Sequence, residues 1–194
     1  MNRRYAGLAV ATVVLFPQSA HAHLVSARFG DFYAGMWHPL SALEHLLPML
    51  ALSLLAAQQG VSIARRVVFD FCAALLGGTT LAALWPGFQA VTWPNLGSFV
   101  VLGILVASAA RPAPRVMRAM SIGFGLTHGY ANGLAMAPST ITHLFVPGVA
   151  MAGVVLLTLV SAVTVSARLE WQKIGMRVAG SWIAAIGLLM LALP

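Results

Sequence analysis

The chain has 194 residues, of which 60% are hydrophobic and only 8% are charged, and its mean hydropathy is +0.89. This composition excludes an ordinary soluble domain and indicates an integral membrane protein. Eleven Lys and Arg against four Asp and Glu give a formal net charge of +7. The basic residues are scattered between apolar runs, which excludes a nucleic-acid binder. The single cysteine, Cys72, lies in an apolar run, so the sequence offers no disulfide framework and no thiolate metal cluster.

The first 22 residues have the organisation of a secretory signal peptide. Arg3 and Arg4 form a basic start, residues 6–16 form an apolar run, and Ala20-His21-Ala22 matches a signal-peptidase site. The apolar run is shorter than the ~20 residues that a membrane span needs. We therefore predict cleavage before His23, with an uncleaved signal anchor as the alternative. In either case the segment that follows faces the periplasm or the cell exterior.

Six apolar segments follow the signal peptide, each near the length that crosses the hydrocarbon core of a bilayer. Turn-prone or charged stretches separate them. The sequence therefore predicts an all-α membrane protein in which residues 23–194 form a single domain of six transmembrane helices. The predicted spans are 38–58, 67–85, 94–110, 116–136, 143–166 and 175–193.

Orientation follows from the basic residues, because Lys and Arg are retained on the cytoplasmic side during insertion. They fall in alternate connections, whereas the connections 86–93 and 137–142 carry no charge. We therefore predict a multi-pass protein of the bacterial inner (cytoplasmic) membrane whose mature N- and C-termini are both periplasmic. The basic residues of the cytoplasmic connections are Arg65, Arg66, Arg111, Arg115, Arg118, Arg168, Lys173 and Arg177.

The first predicted span contains an unusual group of polar residues and prolines. Pro39 favours the first turn of a helix, which makes His38 the expected N-cap. Seven residues at 100° each return His45 to within about 20° of the face of His38, about two turns or ~10 Å away. Pro48 cannot donate a hydrogen bond to the carbonyl of Glu44, which predicts a kink beside the Glu44-His45 pair.

The fourth predicted span carries a second polar pair next to a ridge of small residues. His128 and Asn132 are four residues apart and share a helix face. Gly125, Gly129 and Gly133 recur at the same spacing, which favours the close approach of another helix.

The polar residues of the first and fourth predicted spans are expected at a similar depth in the membrane. Glu44 and His45 are expected ~10 Å below the outer end of the first span, and His128 ~12 Å below the outer end of the fourth. Ionisable groups inside a membrane are costly and are functional candidates by default. Two imidazoles, a carboxylate and the amide oxygen of Asn132 form a mixed N/O set that suits Ni²⁺, Co²⁺ or Zn²⁺ better than Ca²⁺ or Mg²⁺.

Three further histidines are candidates closer to the outer surface. His38, a member of the predicted metal set, and His143, a weaker candidate, are expected near the mouth of the bundle. If cleavage follows Ala22, the free amine and the imidazole of His23 form a compact nitrogen chelate that could collect metal. The alternative is that His23 follows the cleavage motif by chance.

The two polar motifs resemble those of the HupE/UreJ family. The family pattern HP-x-x-G-x-DH is similar to His38-Pro39-Leu40-Ser41-Ala42-Leu43-Glu44-His45, with Ala42 for Gly and Glu44 for Asp. The pattern HG-x-AHG-x-E is similar to His128-Gly129-Tyr130-Ala131-Asn132-Gly133-Leu134-Ala135, with Asn132 for His and Ala135 for Glu. The signal peptide, the length and the six spans extend the resemblance over essentially the whole chain.

The resemblance implies a small membrane protein linked to hydrogenase and urease maturation and regarded as a nickel or cobalt permease. We therefore expect a secondary permease or facilitator for Ni²⁺ first and Co²⁺ second. The alternative is a non-transporting accessory protein that holds metal or a metalloenzyme-maturation partner at the membrane. The sequence contains neither a Walker motif nor HExxH, so we expect neither an ATPase nor a metalloprotease, and no enzyme activity.

Overall fold

A computed structural model describes residues 21–88 and 90–192, with side chains from residue 30 onward. Over these residues the fold is entirely helical, with seven helices and no strand. Residues 1–20, nearly all of the predicted signal peptide, and the side chain of His23 lie outside the described residues. The helices are α1 (His21–Ser41), α2 (Leu43–Gln58), α3 (Val61–Leu84), α4 (Thr92–Ala107), α5 (Pro114–Leu134), α6 (Thr142–Ser166) and α7 (Glu170–Ala192).

Several of these helices are suited to crossing a membrane. By length and apolar composition, α3, α6 and α7 are each candidate spans. A fourth candidate is the bent pair made of residues 30–41 of α1 and all of α2. Helix α4 is apolar but has only 16 residues, and α5 carries several charged and polar side chains. The chain is a multi-pass membrane protein, and six spans stay a prediction.

The first predicted span is not a single helix. Ala42 has an extended backbone (φ −90°, ψ 110°), and the chain bends by 73° between α1 and α2. The prediction that His38 is an N-cap is therefore wrong, because His38 lies in the last turn of α1. The bend leaves no backbone group of Ala42 exposed to lipid: its N–H donates to His38 O at 3.1 Å and its carbonyl accepts from Leu46 N at 2.9 Å.

Helices α3 and α5 run parallel and touch along their lengths through glycines. A Cβ added to Gly129 would lie 2.2 Å from the carbonyl oxygen of Leu75, and one added to Gly78 would lie 2.2 Å from that of Leu126. Gly125 and Gly133 meet α3 one turn below and one turn above. This contact confirms that the glycine ridge of the fourth predicted span packs closely on another helix.

Helix α2 lies at the centre of the bundle, because it contacts each of the other six described helices. Its side chains Met49, Leu52 and Leu55 are fully buried. Around it, α4 packs against α7, and α1 crosses α6 where Gly35 meets the backbone of Phe145. His45, in the first turn of α2, therefore projects into the protein interior.

The connection between α3 and α4 is fastened to α5 by one tyrosine. Tyr130 is buried, and its hydroxyl donates to the carbonyl oxygen of Trp85 and accepts from the backbone N–H of Phe88 at 2.9 Å. The two hydrogen bonds hold this connection against α5 two residues beyond His128.

Candidate metal site

Two histidines from different helices meet in the interior of the bundle. His45, in the first turn of α2, is 2% exposed, and His128, in the middle of α5, is fully buried. Their Nδ1 atoms are 3.1 Å apart, and the two rings are nearly perpendicular. The structure thus brings together one residue from each of the two sequence motifs.

Helix α4 supplies the partner for the other side of the His128 ring. Ser98 Oγ lies 2.9 Å from His128 Nε2 and 2.6 Å from the carbonyl oxygen of Asn95. A carbonyl oxygen can only accept, so the single hydroxyl proton of Ser98 goes to Asn95. Ser98 Oγ must then accept from His128 Nε2–H, which leaves His128 Nδ1 as an acceptor.

This tautomer of His128 determines the tautomer of His45. With both rings neutral, His45 donates its Nδ1–H to His128 Nδ1, and the lone pair of His45 Nε2 is left unprotonated. The hydrogen bonds therefore run from His45 through His128 and Ser98 to a backbone carbonyl. A metal-binding histidine in proteins commonly donates its other ring N–H to such an acceptor, which fixes the ring orientation.

Glu44 faces the free nitrogen of His45. Its Oε1 atom is 3.7 Å from His45 Nε2, and its side chain is 61% exposed, against 3% for His45. In this tautomer His45 Nε2 and Glu44 Oε1 are two potential ligand atoms 3.7 Å apart. Because His45 presents Nδ1 to His128 and Nε2 to Glu44, these two neighbours lie on opposite sides of its ring.

His38 stands beside this pair because of the bend at Ala42. Its ring centroid is 5.7 Å from that of His45 and 6.4 Å from that of Phe145. A straight helix would have separated the two imidazoles by ~10 Å, so the prediction of that spacing is wrong. The three histidine rings form a row that leads from half-buried His38 to fully buried His128.

Two asparagines carry unpaired oxygens close to the row. Asn132 donates from Nδ2 to its own helix, at the carbonyl of His128 (2.7 Å), and Asn95 donates to the carbonyl of Thr127 (3.3 Å). The Oδ1 atom of each is buried without a hydrogen-bond partner. An unpaired buried amide oxygen is costly. Both therefore remain acceptors for a water molecule or an ion close to His128.

Sequence reasoning missed Ser98 and Asn95. They lie three residues apart in an otherwise apolar helix, and the criterion that singled out the histidines, a polar group inside a predicted span, applies to them equally. His143, by contrast, is exposed in the first turn of α6, outside the histidine row. Among the described residues no group of three or more His, Cys, Asp or Glu is arranged to hold a metal ion.

Comparison with known proteins agrees with the motifs. The family model described as HupE / UreJ protein matches residues 10–190. The chain is also 29% identical over 184 residues to "Protein HupE" of Rhizobium leguminosarum bv. viciae, a match that covers 90% of this chain and 91% of that protein. No solved structure matches it significantly. Because the family model spans nearly the whole sequence, the chain belongs to the HupE/UreJ family.

Proposed function

We propose that the protein is a permease for a divalent transition metal, with Ni²⁺ as the preferred ion and Co²⁺ as the next. Membership of the HupE/UreJ family supports a role in hydrogenase- or urease-associated handling of nickel or another metal. The family is one of accessory or transport proteins, so the proposal assigns no chemical reaction. Zn²⁺ also binds imidazole and carboxylate ligands, so it is the competing ion to include in a transport assay.

The observation that carries the proposal is the unprotonated Nε2 of His45 facing the carboxylate of Glu44 at 3.7 Å. A cation between the two atoms would form one coordination bond to each. Ni²⁺ and Co²⁺ accept imidazole nitrogen and carboxylate oxygen together. In this arrangement His128 orients the His45 ring and is not itself a ligand.

The small number of protein donors suits a cargo that must leave again. His45 and Glu44 provide two ligand atoms, His38 is the nearest further imidazole, and water would complete the shell. A permeation site has to bind strongly enough to admit the ion and weakly enough to release it. Because the Glu44 side chain is largely exposed, it is the first ligand that an approaching ion can reach.

The proposed route runs inward along the histidine row. In the six-span topology, the described helices α2 to α7 are the spans, and the uncharged connections between α3 and α4 and between α5 and α6 face the outside. His38 and His143 then lie towards the outer mouth. Asn95 in the first turn of α4 and Asn132 in the last turn of α5 lie on the outer side of His128, where their buried oxygens would accept hydrogen bonds from the water of an entering ion.

Uptake of nickel by proteoliposomes tests the proposal. We expect His45→Ala and Glu44→Gln to abolish uptake at limiting nickel. Glu170→Gln is the matched control for Glu44→Gln, because Glu170 is also an exposed carboxylate in the first turn of a helix. Full uptake by His45→Ala would contradict the site, as would an equal loss in Glu170→Gln.

The orienting role of His128 has its own test. Ser98→Ala removes the acceptor of His128 Nε2–H. Loss of the direct partner of a metal ligand lowers metal affinity about 10–100-fold, and Ser98 is one hydrogen bond further away, so its loss should lower the affinity about 10-fold. We expect the KM for nickel to rise by that factor while the saturated rate changes little. Ser53→Ala is the control, because Ser53 is equally buried but bonds only to its own helix, at Met49 O. An unchanged KM in Ser98→Ala would contradict the relay.

The alternative, a non-transporting accessory protein that holds metal, predicts a different result with the same preparations. If the protein only holds metal, the purified wild type binds nickel and the His45→Ala variant does not. Proteoliposomes with and without the protein then accumulate nickel equally. That result would replace transport by storage while keeping the site. Absence of both binding and uptake would reject the metal proposal altogether.

A further inference from the structure

A second, chemically different site lies at the end of the bundle where α3 and α5 begin. A groove of about 1020 Å³ opens between the first turns of these helices, and four of its lining residues are arginines. They are Arg65, Arg66, Arg115 and Arg118. The one carboxylate in the groove, Asp70, pairs with Arg118 at 3.5 Å. One acidic residue against four arginines leaves a formal excess of three positive charges in one groove.

Backbone charge adds to this excess. Because α3 and α5 are parallel, their positive N-terminal dipole ends lie side by side at this groove. The residues that precede the two helices, Gly60 and Ala113, make no side-chain cap hydrogen bond. Most N–H groups of a first helical turn lack an intrahelical partner. Arginine guanidinium groups and such N–H groups are the donors that proteins use to bind phosphate.

The surroundings of the groove identify the source of the phosphate. Helix α3 is a candidate membrane span, so its first turn lies where a span meets the headgroup layer. Apolar side chains beside the arginines point outward: Val61 is 53% exposed, Phe69 is 74% exposed and Val116 is 44% exposed. A soluble phosphate would gain nothing from these side chains, whereas a lipid would place its acyl chains against them.

We propose that this groove binds the phosphodiester headgroup of an anionic phospholipid. Arg65, Arg66 and Arg115, which the carboxylate does not neutralise, hold the phosphate, and Phe69 and Val116 contact the first part of the acyl chains. Basic pockets between membrane helices are established binding sites for anionic headgroups in general. The site is separate from the histidine row, because the groove is lined by the first turns of α5 whereas His128 lies in the second half of that helix.

A lipid titration of the purified full-length protein in mild detergent tests this. The melting temperature is followed as dioleoylphosphatidylglycerol or dioleoylphosphatidylcholine is added, and we expect the anionic lipid to bind more tightly. A basic residue that holds an anionic headgroup contributes about fivefold in affinity, from about 1 kcal/mol per Lys or Arg. Arg65→Gln with Arg115→Gln should therefore weaken phosphatidylglycerol binding about 25-fold.

A matched variant separates the groove from general charge. The double variant Arg168→Gln with Lys173→Gln also removes two positive charges. Arg168 precedes α7 and Lys173 lies in its first turn, so the affinity for phosphatidylglycerol should stay unchanged. Equal weakening by the two double variants would overturn the proposal. So would equal affinity of the wild type for both lipids, or full stabilisation by millimolar inorganic phosphate, which would indicate a soluble anion.

Native mass spectrometry provides a measurement that needs no variant. The wild type should retain one phosphatidylglycerol per chain at concentrations where it retains no phosphatidylcholine. Retention of neither lipid, or retention of an acidic peptide in preference to phosphatidylglycerol, would refute the assignment. Nickel uptake is not measured in this test, so failure of the lipid proposal can be distinguished from failure of the metal proposal.

Discussion

The contact between α3 and α5 makes a sharp prediction about Gly129. In Gly129→Ala the new Cβ would lie 2.2 Å from Leu75 O and 2.9 Å from Leu75 C, both of them rigid backbone atoms. Ordinary contact begins at 3.4 Å, so the two helices must separate locally by about 1 Å. Inserting volume into a packed interface costs about 1–3 kcal/mol.

The matched control lies on the same helix. Gly123 has nothing within 4 Å of an added Cβ. Gly123→Ala should therefore be neutral, or up to about 1 kcal/mol more stable through helix propensity. Melting of the detergent-solubilised protein should separate the two variants, with Gly129→Ala lower by about 2–4 °C for each kcal/mol.

The same separation should disturb the site. His128 precedes Gly129, and its contacts at 3.1 Å with His45 and 2.9 Å with Ser98 weaken steeply as the distance grows. We expect Gly129→Ala to raise the KM for nickel as well. A Gly129→Ala protein as stable as Gly123→Ala would refute the close parallel packing of α3 against α5.

Three further outcomes are expected. Tyr130→Phe removes both hydrogen bonds that hold the 85–91 connection, worth about 1 kcal/mol each, and should speed amide hydrogen exchange there without changing exchange in the 135–141 connection. Asp70→Asn breaks the ion pair with Arg118, whose guanidinium is mostly exposed, and a double-mutant cycle for the two residues should give a coupling of about 1 kcal/mol or less; a much larger coupling would mean that the pair is buried. In a cysteine-free background, a cysteine at Ala113 should react with a membrane-impermeant reagent only after the membrane is opened, and labelling of that position in sealed cells would contradict the topology.

The helical elements could largely be predicted from the sequence. Each of the six predicted apolar segments overlaps a helix, because apolar length is a local property that a short stretch of chain carries by itself. The contact surface of α5 was equally predictable. Glycine repeated every four residues forms a groove on any helix, whatever packs into it.

The break at Ala42 was not predictable in the same way. Pro39 and Pro48 drew attention to the correct region, yet Pro39 lies inside α1 and Pro48 inside α2, and the chain bends between them. An alanine has no intrinsic tendency to end a helix. The bend exists because α1 packs on α6 while α2 enters the centre of the bundle, which is a property of the assembled helices.

The site shows the same division between local pattern and tertiary structure. Sequence alone selected His38, Glu44, His45, His128 and Asn132, because polar groups are conspicuous in apolar spans. Only the assembled bundle decided that His45 uses Nδ1 for His128 and turns Nε2 to Glu44, and that Ser98 fixes the tautomer. A helical period tells which face a side chain occupies. The partner it meets depends on how each helix is rotated against its neighbours, and packing across the whole bundle sets those rotations.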